Sequence, residues 1–339
     1  MNGRIVWDGR WVGRNGIARH AQEVARRFQG SYEVLRPGHV SPTSPLDPLY
    51  LKVVLGLGPG DLFVSPGFNA SLSRHHNQLI TVHDLIHLHV DAESSHSKRL
   101  YYQRIVLPAI RSAQRVLTVS QFSRNELIEW TGLPRDAVVV VGNGCSLAPA
   151  TPAELHRGAA TNRKTILFVG NSKQHKNLSL LIAALRNMNH EVGVVTVGVP
   201  LERIAEECAA YGVQRDRVSS YRGIPDAELR ELYVTAACVA LPSTYEGFGL
   251  AALEGMAVGT PTAYVCEAVG ELVGSLGFRS ASSTDGEAYA DALTEAMEQK
   301  PLLANQLLAR ASTFSWGDVA RKVESAITGF DAFARMKKR

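Results

Sequence analysis

The chain has 339 residues, 45% of them hydrophobic and 20% charged, a globular composition that excludes wholesale disorder, collagen and coiled coil. Single cores stop growing at about 250–300 residues, so two domains are expected. Lys+Arg 36 against Asp+Glu 32 leaves only +4, too mild a charge for a nucleic-acid partner without a motif.

That charge is uneven. Residues 1–150 hold 16 Lys/Arg and 11 Asp/Glu, a balance of +5, and the remainder holds 20 and 21, a balance of −1. Eight of the 11 histidines also lie in residues 1–150. Cys145, Cys208, Cys238 and Cys266 are far apart and form no Cys-x-x-Cys, so neither a disulfide framework nor a zinc knuckle is expected and a cytoplasmic setting fits. The start, MNGRIVWDGRW, lacks the apolar core of a signal peptide, and no apolar run approaches membrane-spanning length.

In chain order, short apolar β-branched runs predict strands at Arg4–Asp8, Tyr32–Leu35, Asp61–Ser65, Leu79–His83, Val116–Ser120 and Val138–Val141. Helical patterns fall between some of them, at Gly16–Phe28, Lys98–Ala113 and Ser123–Trp130. Strands without alternation are buried on both faces, as in a parallel sheet, and strand–helix alternation implies βαβ units. Residues 142–163, rich in Gly, Ala, Pro and Thr, read as a linker. The pattern then restarts, with strands at Thr165–Val169, Val192–Val197, Val218–Tyr221, Cys238–Leu241 and Pro261–Val265. Helices are expected at Leu178–Met188, Leu201–Tyr211, Asp226–Thr235, Gly247–Ala257, Glu287–Gln299 and Trp316–Phe333. The fold class is α/β, with two Rossmann-like doubly wound parallel-sheet domains. The first covers 1–150 and the second 151–320, a C-terminal helix at 316–339 crosses back to the first, and a ligand cleft lies between the domains at the strand ends.

The most informative segment is Leu241-Pro-Ser-Thr-Tyr-Glu-Gly-Phe-Gly-Leu-Ala-Ala-Leu-Glu254. A strand ends, a turn follows, and a helix is predicted to start near Gly247–Phe248. Its first amides and positive dipole end suit an oxygen-rich or anionic ligand. Gly247 and Gly249 remove side chains where oxygens would approach. Glu246 and Glu254, eight residues apart, are about 12 Å apart along such a helix. A retaining glycosidase needs about 5–5.5 Å, so the two carboxylates would instead hold two ends of a long polyhydroxylated ligand. The plainer alternative is an acidic helix start and a solvated Glu254.

This Glu-x7-Glu, within EGFGLAALEGMAVGTP, resembles the signature of retaining family 4 glycosyltransferases of GT-B fold. Gly16-Ile-Ala-Arg-His20 resembles the first domain's helix start, and Val82-His-Asp-Leu-Ile86 its central His-Asp loop. Val119-Ser-Gln-Phe-Ser-Arg124 and Phe168-Val-Gly-Asn-Ser-Lys-Gln-His-Lys-Asn177 resemble the mannosyltransferase-like branch, and Phe314-Ser-Trp316 the C-terminal helix start.

The resemblance implies a donor site. Glu246 would bind hydroxyls of the transferred sugar and Glu254 the ribose, with backbone amides of Phe248, Gly249 and Leu250 on sugar or phosphate. Lys176 matches the family's diphosphate lysine. Asn171 stands where most members carry Arg, and Lys173 is the candidate second charge. Ile224 and Arg222, after the third strand, would meet the base or phosphate, His83 the donor sugar, and Gly16 would approach the ligand across the cleft. His83, Lys176 and Glu246 are the catalytic candidates. Arg14 and Arg19 are further candidate charges.

The implied activity is retaining hexosyl transfer, with mannose from GDP-mannose favoured and UDP- or dTDP-sugars as alternatives. The acceptor implied is a glycan or lipid-linked glycan in surface polysaccharide synthesis. A GT-B-like binding or scaffold subunit without activity is the rival of another class. No cofactor and no metal are expected, although His83, His87 and His89 raise a zinc reading. Arg99, Arg104, Arg111 and Arg115, on one expected helix, would suit an acidic acceptor or the anionic inner face of a membrane, as would the basic tail Phe333–Arg339.

Overall fold

The structure is a computed structural model that describes residues 3–13, 15–58, 60–73, 77–160 and 164–336, side chains at 159–160 and 330–336 aside. Arg14 and the last residues of the basic tail, 337–339, lie outside the described residues. In chain order the first elements are β1 (Ile5–Asp8), α1 (Gly16–Arg27), β2 (Glu33–Leu35), α2 (Asp47–Val54), β3 (Leu62–Ser65), β4 (Asn77–Ile80) and α3 (Ile86–His89). Then come α4 (His96–Tyr101), a π turn (Tyr102–Val106), α5 (Leu107–Ala113), β5 (Val116–Thr118), α6 (Gln121–Thr131) and β6 (Val138–Val140). Next are α7 (Pro152–Ala160), β7 (Thr165–Val169), α8 (Leu178–Asn187), β8 (Gly193–Val197), α9 (Leu201–Tyr211) and β9 (Val218–Tyr221). The chain finishes with α10 (Asp226–Thr235), β10 (Cys238–Leu241), α11 (Leu250–Ala257), β11 (Thr262–Tyr264), α12 (Glu267–Val273), β12 (Phe278–Arg279), α13 (Gly286–Ala311) and α14 (Trp316–Met336). It forms two compact units, Met1–Gly144 with Ser315–Arg339, and Cys145–Phe314.

In the first unit, β2-β1-β3-β4 pair in parallel. A bridge between Thr81 and Leu117 carries the order on to the parallel β5-β6 pair. The strand expected to run to His83 stops at Ile80, so His83 stands in the loop beyond the sheet. The helix expected over 98–113 starts at His96 and is broken by the π turn. Pro108 has no N–H to give the carbonyl of Arg104, and the wider turn absorbs that loss. The core joins Ile5, Trp7, Leu62, Val64 and Leu79 to Trp316, Val319 and Val323 of α14. Ser315 opens α14 by accepting the Asp318 N–H at 3.0 Å and donating its hydroxyl to the Asp318 carboxylate at 2.8 Å.

A charged knot fastens the turn after β1. Arg10 grips both oxygens of Asp8 at 2.8 Å and also reaches Asp47 at the start of α2. Asn69 donates to Asp47 at 2.7 Å and accepts from the Trp11 indole at 2.8 Å. The side chains of Arg10, Asp8 and Asp47 are fully buried.

The second unit holds a six-stranded parallel sheet in the order β12-β11-β10-β7-β8-β9. Counted from β7, that order is 6-5-4-1-2-3, the doubly wound arrangement whose ligand crevice opens where the order reverses, at the carboxyl ends of β7 and β10. Ile166 and Phe168 of β7 enter one apolar cluster with Leu181, Leu185, Tyr289 and Leu293, while Leu167 enters another with Tyr233, Val234 and Val239. The sheet is thus covered on both faces, which is why its strands read as unbroken apolar runs.

The expected linker at 142–163 holds α7, opened by a capping box. Thr151 Oγ1 accepts the Glu154 N–H at 3.3 Å, and Glu154 accepts the Thr151 N–H at 2.8 Å. The helix expected to end at Gln299 runs on through Pro301 to Ala311. Among the described residues no helix is long and apolar enough to cross a membrane.

Lys300, buried in α13, donates to the carbonyls of Val234 and Ala236 at the end of α10. Burial, partly opposed by Cys238, lowers its pKa to about 8. Between that value and the ordinary lysine pKa of about 10.4, the unfolded chain holds a proton that the folded chain has released. Raising the pH through this window therefore stabilises the fold. Urea midpoints measured from about pH 8 to 10 are expected to rise by this contribution in the wild type, and Lys300→Met is expected to remove it. An identical slope in both proteins would refute the assignment.

Candidate functional site

At the switch point of the second unit, β7 ends at Val169 and delivers the loop Gly170–Lys176, whose last residues form a 3-10 turn. Asn177 then takes a left-handed conformation, φ 52°, which Asn tolerates better than most residues. Its amide donates to the carbonyls of Pro242 at 3.3 Å and Ser283 at 3.0 Å. The Thr244 N–H donates to the His175 carbonyl at 2.8 Å. The loops that leave β7 and β10 are thus laced together by backbone carbonyls.

The lacing brings two sequence-predicted residues into contact. Lys176 Nζ lies 2.6 Å from Glu246 Oε1, with the side chains 20% and 14% exposed. The pair is mostly shielded yet reachable, so both groups can be drawn off by competing partners: an anion for the ammonium, hydroxyls for the carboxylate. Cys266, just before α12, senses the same place. Burial first, then the charge of Glu246, push its thiol up to about 12, which leaves it inert as a nucleophile near neutral pH.

The helix expected from Gly247–Phe248 begins at Leu250. Gly249 precedes it at φ +101°, and a Cβ there would sit 3.0 Å from Val269. That left-handed step favours glycine and delays the helix. Gly247, Phe248 and Gly249 therefore form the turn before α11, and only the Leu250 amide among those predicted lies in its first turn. Glu246 is also off the helix, so the helical spacing to Glu254 does not apply. The Phe248 ring packs edge-on against Phe314 at 6.0 Å.

The solvated alternative for Glu254 is overturned: it is 6% exposed. Its Oε2 accepts the Tyr233 hydroxyl at 2.8 Å. Gly255 lets α11 lie close on the sheet, since a Cβ there would meet Val239 at 2.8 Å.

Asn171 and Lys173 are exposed, with the Lys173 N–H bonded to Asn171 Oδ1 at 3.1 Å. Arg222 is exposed and Ile224 half-buried, after β9. That strand is two places from β7, or about 10 Å across the sheet.

In the first unit, Gly16 opens α1, where Asn15 accepts the Ala18 N–H at 2.9 Å. His83 Nε2 meets the Pro66 carbonyl at 2.8 Å, and its own carbonyl accepts the Ser123 hydroxyl at 3.0 Å. Burial lowers its pKa against the pull of that carbonyl and of Asp84, so the ring is neutral at physiological pH. Sequence reasoning missed its neighbour, His20. The two rings stand edge to face at 5.0 Å, His20 Nδ1 meets Asn143 at 2.9 Å, and burial, then His83, lower His20 to about 3.

Of the expected arginines, Arg99, Arg104 and Arg111 are exposed along the helical stretch 96–113. Arg99 pairs with Asp91 and binds Ser94, and Arg111 donates to the Thr131 carbonyl. Arg115 lies past the end of α5 and donates to the Ala326 carbonyl. His83, His87 and His89 have separate partners in Pro66, Glu93 and Glu126. Among the described residues no group of three or more His, Cys, Asp or Glu is arranged to hold a metal.

Two family models match in succession: Glycosyltransferase Family 4 over residues 59–148 and Glycosyl transferases group 1 over residues 155–311. Over those two segments the chain is similar to these glycosyltransferase families, and its fold matches that of GT-B glycosyltransferase structures. It is 28% identical over 237 residues to O-antigen chain mannosyltransferase B of Escherichia coli, covering 64% of this chain and 61% of that protein. It is 30% identical over 227 residues to D-inositol 3-phosphate glycosyltransferase of Mycolicibacterium smegmatis, covering 61% of this chain and 51% of that one. The matches thus span about 50–60% of the length of these curated relatives. Among solved structures, Anabaena HepE in complex with UDP-glucose aligns at TM-score 0.72 and 18% identity, over 97% of this chain and 100% of that one. WaaG, a glycosyltransferase involved in lipopolysaccharide biosynthesis, aligns at TM-score 0.71 and 16% identity, over 96% and 100%.

Proposed function

We propose that this protein is a retaining hexosyltransferase that takes its sugar from a nucleoside diphosphate donor and places it on a glycan or lipid-linked glycan. The observation that carries the reading is the Lys176–Glu246 pair, 2.6 Å apart at the strand ends where the sheet order reverses. A sugar nucleotide offers both partners such a pair would exchange for: phosphate for the lysine, sugar hydroxyls for the carboxylate.

In this reading the acceptor hydroxyl attacks the anomeric carbon from the side on which the diphosphate leaves. The carbon–oxygen bond to the diphosphate breaks, a bond to the acceptor oxygen forms, and the departing diphosphate takes the acceptor's proton. Lys176 neutralises the growing negative charge, which makes a metal unnecessary, and Glu246 fixes the sugar. Glu254 takes the ribose. His83, held neutral, suits a hydrogen bond to a sugar hydroxyl better than a charge contact with phosphate. Mannose from GDP-mannose is the favoured donor, supported by the branch motifs at Val119–Arg124 and Phe168–Asn177 and by the relative described as a mannosyltransferase.

The test is release of free nucleoside diphosphate from GDP-mannose, UDP-glucose and dTDP-glucose, each with a glycan-lipid extract as acceptor. Release from GDP-mannose above the others is expected. Preference for another donor would correct the sugar, and release from none, with tight nucleotide binding, would favour a binding subunit.

A further inference from the structure

Tyr233 takes no part in the reading above, yet it is fully buried on α10 and donates its hydroxyl to Glu254 Oε2 at 2.8 Å. A hydroxyl delivered to a buried carboxylate fixes the rotation of that carboxylate only if the donor is itself fixed. Here the end of α10 is clamped from two sides. Thr260 donates to the carbonyl of Tyr233 at 2.8 Å, and Lys300 donates to the carbonyls of Val234 and Ala236. These are the last carbonyls of a helix, which have no partners within it and need donors from elsewhere. Thr260 lies just beyond α11, the helix that carries Glu254, so the two helices are locked to each other at both the backbone and the side chain.

We infer that Tyr233, set by the Thr260 and Lys300 clamp, is a positioning residue that orients the Glu254 carboxylate toward the ribose diol of the nucleotide. The inference rests on the assignment of Glu254 to the ribose. A carboxylate has room for about four hydrogen bonds, so the bond from Tyr233 does not itself take the places that two hydroxyls would need. What the tyrosine supplies is direction: a 1,2-diol is recognised by two oxygens at a set angle, and a carboxylate free to rotate presents that angle only part of the time.

The experiment titrates GDP and UDP, each beside its 2′,3′-dideoxy analogue, into wild type, Tyr233→Phe, Glu254→Gln and the double variant. Tyr233→Phe is expected to weaken the ribonucleotide about ten-fold, as loss of one hydrogen bond to a charged group would, and to leave the dideoxy analogue unchanged. The double variant is expected to be no weaker than Glu254→Gln alone, because the tyrosine acts only through the carboxylate. Thr260→Val, which loosens the clamp and keeps the shape, is expected to show the same pattern at smaller size, and carries the test if Tyr233→Phe fails to fold. Three outcomes overturn the inference. If Glu254→Gln discriminates against ribose and Tyr233→Phe does not, positioning fails while the ribose assignment stands. Equal weakening of both nucleotide forms by Tyr233→Phe makes the bond merely structural. Wild-type binding by Glu254→Gln removes the ribose assignment itself.

Discussion

Replacing Lys176 by Ala is expected to lower turnover about 100-fold, the scale on which loss of one preorganised charge-stabilising group acts. In the proposed reaction negative charge collects on the leaving diphosphate as the bond to the sugar breaks, and an ammonium already in place would stabilise that state more than the bound substrate. Glu246→Ala is expected to cut transfer comparably while leaving the affinity for free nucleoside diphosphate nearly intact, because its partner in the proposed reaction is the sugar. The contact between the two adds a further expectation. Each single change strands the other member of a 2.6 Å ion pair that is mostly shielded from water, so part of each loss is the cost of the stranded charge. The double variant should therefore be less impaired than the product of the two single losses. Initial rates of diphosphate release from the preferred donor, measured for all four proteins, decide this. Turnover of Lys176→Ala within two-fold of wild type would end the assignment of that lysine to the leaving group.

Much of the fold was legible because a parallel sheet covered on both faces leaves apolar runs in the sequence, as at Thr165–Val169 and Cys238–Leu241. The two-residue β12 leaves no such run, and α2 and α12 are too short for a periodicity to stand out. The helix inside the expected linker has a local signal, Thr151 three residues before Glu154, set among residues whose composition reads as a loop. In the site, Glu246, Lys176 and Glu254 were legible through their motifs, but the left-handed Gly249 that delays α11 was not, because spacing alone does not give a backbone angle. The burial of Glu254 could have been read. Every other residue of α11, Leu-Ala-Ala-Leu before it and Gly-Met-Ala after it, is apolar or small, and a helix apolar all round is an interior helix. An acid within such a helix requires a buried partner. That the partner is Tyr233, 21 residues earlier, is a fact of packing, as are the contacts of Asn177 with Pro242 and Ser283.

The largest loss of stability is expected from Arg10→Met. The guanidinium, fully buried, holds Asp8 with two parallel hydrogen bonds and reaches Asp47 as well. Burial works against its charge, but hydrogen bonds to Asp8 and Asp47 outweigh that and raise its pKa. Methionine fills a similar space and offers neither charge nor donor, so two buried carboxylates lose their counter-ion. Removing one member of a buried charge cluster costs about 3–5 kcal/mol, a large part of the stability of an ordinary domain. The pH dependence distinguishes this cause from a packing defect. In the wild type, burial raises the pKa of Asp47, and Arg10, then Asn69, pull it down. Without Arg10 the pull weakens and the carboxyl rises further. The folded variant then keeps a proton that the folded wild type releases, so its relative stability is greatest in acid and is lost as the pH climbs, above the ordinary Asp value of about 3.9, through the raised folded value of its Asp47. Denaturant unfolding of both proteins at matched pH should show the deficit in full near neutrality and shrinking toward about pH 4. A deficit that stays constant across that range would mean that lost packing, and not a stranded charge, is what the arginine prevents.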